Sequence, residues 1–261
     1  MTGWFRCFGI STRDPTRKRW SRGCEGVRLM VSGSAALPER LFDRWGGVTG
    51  PPPLERYGMT EAGMITSNPY DGERVAGTVG FPLPGVQARV VAEDGSELPH
   101  GEPGVLEIKG PNVFRGYWGM PEKTAEEFRP DGWFITGDIA VMADDGRVSI
   151  VGRAKDLIIS GGFNVYPKEI ESAIDDLPGV KESAVIGIPH PDFGEGVTAV
   201  VVAKPGAELD ERAVIAALEG RLARYKLPRA LVFVDQILRS PSGKADYRWA
   251  TETASTALHR D

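Results

Sequence analysis

Gly152-Arg153-Ala154-Lys155-Asp156-Leu157-Ile158-Ile159-Ser160-Gly161-Gly162-Phe163-Asn164-Val165-Tyr166-Pro167 divides the chain into two unlike parts. A strand-like run, Val148 to Val151, precedes the charged residues Arg153, Lys155 and Asp156, and a second run, Leu157 to Ser160, leads into Gly161-Gly162. A charged joint between two short apolar segments reads either as a hinge or as a charged turn followed by a glycine turn inside one domain. Spacing alone leaves both open, so the sequence on either side must decide.

Before the joint, short apolar runs recur between glycine-bearing turns: Val86 to Val91, Val105 to Ile108, Trp133 to Ile139 and Val148 to Val151. That pattern predicts a small β-barrel or sandwich, with hairpin turns at Asp94-Gly95 and Asp145-Gly146 and one helix from Pro121 to Phe128. Within it, Thr136-Gly137-Asp138 sets a carboxylate at a strand end, where it would either cap a turn or accept from a pair of hydroxyls. After the joint the pattern changes to helix Pro167 to Asp176, strands Glu182 to Ile188 and Val197 to Ala203, helix Glu211 to Tyr225, strand Ala230 to Val234, and a helix from Tyr247. This is the outline of a compact α+β domain.

Further upstream, Val27 to Val31 reads as an apolar strand running into the small-residue turn Ser32-Gly33-Ser34-Ala35-Ala36, followed by a helix from Pro38 to Trp45. Leu54-Glu55-Arg56-Tyr57-Gly58-Met59-Thr60-Glu61 reads as a second strand-turn-helix, with a hydroxyl and a carboxylate side by side after a glycine. Each turn alone is an ordinary βα connection; together they can face one pocket. Residues 1–26 hold Arg6, Arg13, Arg17, Lys18, Arg19 and Arg22 without periodicity and are expected to be poorly structured or altered. The arginines hint at a transit peptide, but Asp14 and Glu25 and the lack of an amphipathic pattern speak for truncation instead.

Composition bounds the rest. The 261 residues carry 31 Lys plus Arg against 36 Asp plus Glu, a balance of −5 that argues against bulk nucleic-acid binding. No apolar run approaches the roughly 18 residues of a membrane span. Cys7 and Cys24 form neither a metal motif nor a disulfide framework, so the expected compartment is reducing and cytoplasmic. The loop Arg239-Ser240-Pro241-Ser242-Gly243-Lys244 is no P-loop, because it lacks the leading glycine and Ala245 stands where Ser or Thr is required.

Taken in order, Ser32-Gly33-Ser34-Ala35, Tyr57-Gly58-Met59-Thr60-Glu61, Thr136-Gly137-Asp138, Gly152-Arg153-Ala154-Lys155-Asp156, Gly161-Gly162 and Ser242-Gly243-Lys244 resemble the adenylate-forming superfamily of acyl-CoA synthetases, adenylation domains and luciferases. The resemblance runs from Val27 to Ala250 and implies α/β and α+β architecture. Residues 27–154 would be the C-terminal part of a large AMP-binding domain, built from βα units plus the small barrel, and residues 155–261 a mobile lid hinged at Lys155. It also implies an acid–CoA ligase, in which a small carboxylic acid attacks ATP to give an acyl-adenylate and coenzyme A then displaces AMP.

By resemblance, Ser34, Ala35 and the backbone of Glu55, Arg56, Tyr57, Gly58 and Met59 line the adenine site. Thr60 contacts phosphate, Glu61 holds Mg²⁺, Asp138 takes the ribose hydroxyls and Arg153 reaches the nucleotide. Lys244 supplies the cation for adenylate formation, while Gly161 and Gly162 flank the pantetheine arm, where backbone without Cβ atoms leaves a thin channel.

The departure from the family is the Ser/Thr/Gly-rich phosphate loop that precedes these motifs, for which no stretch here substitutes. Catalysis by this chain alone is therefore not expected. Ser67 to Arg74, Lys109 to Phe114 and Gly161 to Glu171 resemble the malonyl-CoA synthetase branch, whereas Ser240 to Trp249 is more similar to bacterial fatty acyl-CoA ligases. The first expectation is malonate or a similar diacid. The alternatives are a medium- or long-chain fatty acid, or a catalytically impaired remnant that binds nucleotide or CoA.

Overall fold

The computed structural model describes residues 23–24, 26–240 and 243–258, with only the backbone of Val48 and Thr49; the expectations for residues 1–22 and for Pro241 and Ser242 lie outside this set. Three sheets organise the described chain. The first runs β1 (Val31–Ser32), β2 (Leu54–Met59), β3 (Gly63–Ser67) and β4 (Phe81–Pro82), with β1 and β2 parallel and the remaining pairs antiparallel. Helix α1 (Glu39–Thr49) makes the β1–β2 crossover, so the first βα unit forms as expected, although its strand is two residues long and Val27 and Val31 stay half exposed. The second expected helix does not form. Met59 turns at once into β3, and an isolated βα unit gives way to a hairpin.

The second sheet corrects the expected barrel. Strands β5 (Gln87–Val91), β6 (Gly104–Lys109), β7 (Phe134–Met142) and β8 (Val148–Arg153) form an open antiparallel meander. A single bridge from Gly80 to Val148 links the sheet's edge back to the first sheet. One apolar cluster, including Ile65, Leu106, Ile108, Phe134 and Val148, is shared by both sheets, and covering that face removes the need for closure. Both Asp-Gly turns form, with Gly95 and Gly146 in the left-handed region at φ 85° and 86°. The short helix α2 covers Pro121–Glu126.

The third sheet, β10 (Phe163–Val165), β9 (Ile158–Ser160), β12 (Gly194–Ala203) and β11 (Val180–His190), with β13 (Ala230–Phe233) parallel to β12, is sandwiched between helices. Alternation along the strands sends Val185, Val197, Ala199 and Val201 to one face, where they meet Ile170 and Ile174 of α3 (Pro167–Asp175) and Val214 and Leu218 of α4 (Glu211–Leu218). Ala184, Ile186, Val200 and Val202 go to the other face and pack on Ala250 and Ala254 of α5 (Tyr247–Leu258). At about 1.5–3 kcal/mol for each large apolar side chain fully buried, these layers hold the α+β part together. Helix α4 stops at Leu218, seven residues earlier than the expected Tyr225, and a separate 3₁₀ turn follows at Arg224–Lys226.

Candidate active site

The site begins with one carboxylate. Asp138 sits on β7 directly across from Arg153 on β8. Gly137 just before it adopts φ +70°, a conformation that turns the strand locally and that residues with a Cβ rarely take. Asp138 Oδ1 lies 2.7 Å from Arg153 Nε, and Oδ2 accepts a short bond from the Tyr57 hydroxyl. The Asp138 N–H donates to Thr136 Oγ1, which itself donates to the Leu106 carbonyl at 2.7 Å. Burial pushes the Asp138 carboxyl up, while Tyr57, Arg153 and, from a distance, the charge of Lys244 oppose it. Burial and the neighbouring Asp138 both raise the Tyr57 phenol, so Tyr57 is a donor here and not an anion.

Tyr57, Asp138 and Arg153 therefore converge from β2, β7 and β8 and are bonded together, while the charge of Lys244, exposed on the loop before α5, acts on Asp138 only from a distance. One detail differs from expectation: both Asp138 oxygens already have protein partners, so a pair of ribose hydroxyls must use its remaining lone pairs or displace Arg153. Ser34 and Ala35 form an exposed turn beside β2, with Ser34 at φ 72°. A Cβ on Gly33 would come within 2.8 Å of the Arg56 guanidinium, so Arg56 lies across that turn. Among the described residues, Arg56 has no ion-pair or hydrogen-bond partner.

Glu55 points inward, 3% exposed, under the same turn, where Oε1 accepts from the Leu37 N–H at 2.9 Å and Oε2 has no partner. Desolvation raises its pKa to about 7, and the Leu37 bond only partly offsets this. Glu55 thus supports the turn from beneath and leaves only backbone to face a ligand. Gly58 is fixed by contact, since a Cβ there would sit 2.1 Å from the Gly63 carbonyl oxygen. The hairpin makes that close approach at a bulge between Tyr57 and Gly58. Met59 is half-buried against the apolar cluster between the sheets.

Thr60 is exposed at the hairpin tip, and Glu61 beside it accepts from the Tyr117 hydroxyl at 3.1 Å while its carbonyl accepts from the Phe114 N–H at 2.7 Å. Tyr117 has no sequence signal and Phe114 stands out only as the end of the Lys109-to-Phe114 stretch; the fold brings that loop to Glu61. No group of three or more potential ligands that could hold a metal occurs among the described residues. Glu61 is a lone carboxylate with one oxygen bonded by Tyr117, so any cation there would need its other ligands from elsewhere.

Lys155 is exposed in the 3₁₀ turn Ala154–Asp156 that joins β8 to the third sheet. Gly161 and Gly162 occupy φ 59° and 81°, and Gly161 N–H donates to Phe193 O at 2.9 Å. A Cβ on Gly162 would meet nothing within 4 Å, so in this conformation backbone angle, not crowding, calls for glycine. Among the described residues no bond joins this turn to the Asp138 cluster. No helix among them is long and apolar enough to cross a membrane.

The chain matches two models of one family, the AMP-binding enzyme over residues 9–118 and the AMP-binding enzyme C-terminal domain over residues 169–244. It is 58% identical to the ATP-bound MatB from Rhodopseudomonas palustris, with a TM-score of 0.84 over 87% of this chain and 45% of that one. It is also 43% identical to the mitochondrial malonate–CoA ligase of Bos taurus, over 86% of this chain and 42% of the relative. A long-chain-fatty-acid–CoA ligase from Escherichia coli is 41% identical over 84% and 39%. The chain thus spans less than half the length of these relatives. Both family matches fall on the two parts that meet at Arg153–Asp156, and the chain belongs to the adenylate-forming, AMP-binding enzyme family.

Proposed function

We propose that this chain supplies the nucleoside site, the catalytic lysine and the lid of an ATP-dependent acid–CoA ligase acting on a malonate-like diacid. The observation that carries the ligase reading is the bonding of Tyr57, Asp138 and Arg153 from three separate segments, with the charge of Lys244 acting on the same carboxylate from a distance. In this reading Asp138 anchors the ribose, with Tyr57 and Arg153 holding its carboxylate. Thr60 touches the α-phosphate, and the Ser34–Ala35 turn and the β2 backbone from Glu55 to Met59 bound the adenine. Lys244 brings positive charge to the carboxylate and phosphate oxygens as the acyl-adenylate forms, in a site where a fixed cation is worth more than in water. Mg²⁺, when bound beside Glu61, would neutralise phosphate charge. Residues 155–261 then reorient about Lys155, withdrawing Lys244 and bringing Gly161-Gly162 to the pantetheine arm of coenzyme A.

Arg56 favours a diacid over a fatty acid. A half-buried guanidinium with no ion-pair or hydrogen-bond partner among the described residues suits a second substrate carboxylate through a bidentate pair. A hydrocarbon chain would leave it unpaired. We place the reaction in a reducing, cytoplasmic setting, although the bovine relative is named as mitochondrial; cell fractionation decides between the two.

The test is ATP–pyrophosphate exchange by a chimera in which residues 27–261 follow the N-terminal half of the R. palustris MatB, with malonate, octanoate and palmitate in parallel. Exchange with malonate, reduced about 100-fold by Arg56→Leu while any octanoate exchange is unchanged, supports the reading. Exchange with malonate that is indifferent to Arg56 overturns the diacid assignment, and absence of exchange with every acid overturns the ligase assignment.

A further inference from the structure

Lys244 projects from a loop whose ends are tied by main-chain bonds. Arg239 and Ala245 form an antiparallel bridge, Asp246 N–H donates to Leu238 O at 2.9 Å, and Ser240 N–H donates to Lys244 O at 2.9 Å. Gly243 N–H returns to Ser240 O at 2.8 Å, and Gly243 itself takes φ +86°. These bonds close the loop but do not orient it against the rest of the lid. Among the described residues, Arg239 ties the loop to the neighbouring strand. Arg239 Nη1 donates to the Gly243 carbonyl, the peptide oxygen immediately before Lys244, at 2.9 Å. Its Nε donates to Glu182 Oε2 at 3.1 Å, and Nη2 makes a second, shorter bond to the same oxygen. Glu182 lies on β11, the strand that α5 covers, and its side chain is only 19% exposed.

We propose that Arg239, anchored on Glu182, is the positioning residue that aims Lys244 at the Asp138 cluster. The proposal rests on the reading of Lys244 as the adenylation cation. A guanidinium is required because its donors lie in one rigid plane, so it can hold a strand carboxylate and a loop carbonyl at once. A lysine in its place can reach either partner but cannot impose the angle between them. Downstream, the Tyr247 hydroxyl donates to buried Glu171 at 2.7 Å, which fixes the start of α5. The lysine loop is thereby clamped on both sides to β11 and α3, and of these two clamps the upstream one touches the peptide that carries Lys244.

The test has two arms. Hydrogen exchange is followed by NMR on the 261-residue chain and on Arg239→Gln, Arg239→Lys and Glu182→Gln. Exchange at the Gly243 and Ser240 amides should quicken about tenfold in Arg239→Gln and Glu182→Gln, with Arg239→Lys between, while the Val185 and Ala250 amides stay as they are. In the MatB chimera, the same two variants should lower kcat for pyrophosphate exchange about 10- to 100-fold. The KM for ATP, and thioester formation from supplied acyl-adenylate, should each stay within about twofold, because Lys244 charge matters only to the first step.

Unchanged exchange at Gly243 overturns the proposal. So does equal loss of both half-reactions, which would mean general structural damage, and so does full activity in Arg239→Gln when Lys244→Ala is inactive. If Lys244→Ala itself retains pyrophosphate exchange, it is the underlying assignment of Lys244 that fails, and the positioning role falls with it.

Discussion

Replacing Glu55 with Gln should stabilise the protein, and more so as the pH rises. The carboxyl is buried, accepts one bond from Leu37 N–H, and leaves Oε2 unpartnered. Its affinity for the proton rises from an ordinary 4.5 to about 7 on folding. A raised carboxyl favours the protonated form in the folded state. Glu55 therefore costs little below pH 4.5, where both states are protonated, and its penalty grows between pH 4.5 and 7, where only the unfolded state has released its proton. At ~1.4 kcal/mol per pH unit, the penalty is about 1 kcal/mol at pH 5 and about 3 kcal/mol at pH 8. Glutamine keeps an acceptor for Leu37 but adds an amide N–H group, so part of the gain is lost at every pH alike. The difference between variant and wild type should thus grow by about 2 kcal/mol from pH 5 to pH 8. Denaturant unfolding at the two pH values measures this, because the raised carboxyls of Asp138, Asp156 and Asp175 are common to both proteins and cancel. A difference that stays constant with pH, or that shrinks as pH rises, would refute the claim that Glu55 is buried and ionised at a cost.

Three further outcomes are expected. Gly58→Ala drives a Cβ to 2.1 Å from the Gly63 carbonyl oxygen and should cost about 2–4 kcal/mol or prevent folding, read as a lowered Tm; an unchanged Tm would refute the close approach of the two hairpin strands. Lys155→Pro restricts φ in the 3₁₀ turn and should slow thioester formation in the MatB chimera at least tenfold more than adenylation; equal effects on both steps would remove the hinge. The 261-residue chain should bind ATP no more tightly than AMP, because its sequence holds no stretch resembling the Ser/Thr/Gly-rich phosphate loop, whose charge-assisted donors, at roughly 1.5–3 kcal/mol each, would favour the triphosphate. Calorimetry with both nucleotides decides it, and a clear preference for ATP would show another phosphate-binding surface.

What could be read from the sequence followed the range of each interaction. The third sheet was legible because period-2 apolar runs such as Val197 to Ala203 are local signals, and β12 spans Gly194–Ala203. The Tyr57-to-Glu61 segment misled as secondary structure because a Thr-Glu pair after glycine equally suits a helix cap and a tight hairpin; the choice came from Gly63, whose carbonyl packs on Gly58. The barrel was expected because strand spacing alone does not say whether a sheet closes or lays its apolar face on another, as Phe134 and Val148 do against Ile65. Within the site, Asp138 and Tyr57 were identified by resemblance, but their direct bond joins residues separated by 81 positions and has no sequence signal. In the sequence Arg239 is one residue of a Pro/Gly-bounded loop, and its tie to Glu182 emerges only when β11 is in place.

We propose the Asp138 cluster as the nucleoside site. The most direct measurement is an NMR titration of the 261-residue chain with AMP, alongside Asp138→Asn. Saturable shifts are expected at Tyr57, Gly58, Asp138 and Arg153, with affinity weakened at least tenfold in the variant by loss of a charged acceptor worth about 1.5–3 kcal/mol. Shifts confined to another surface, or AMP binding indifferent to Asp138→Asn, would contradict it.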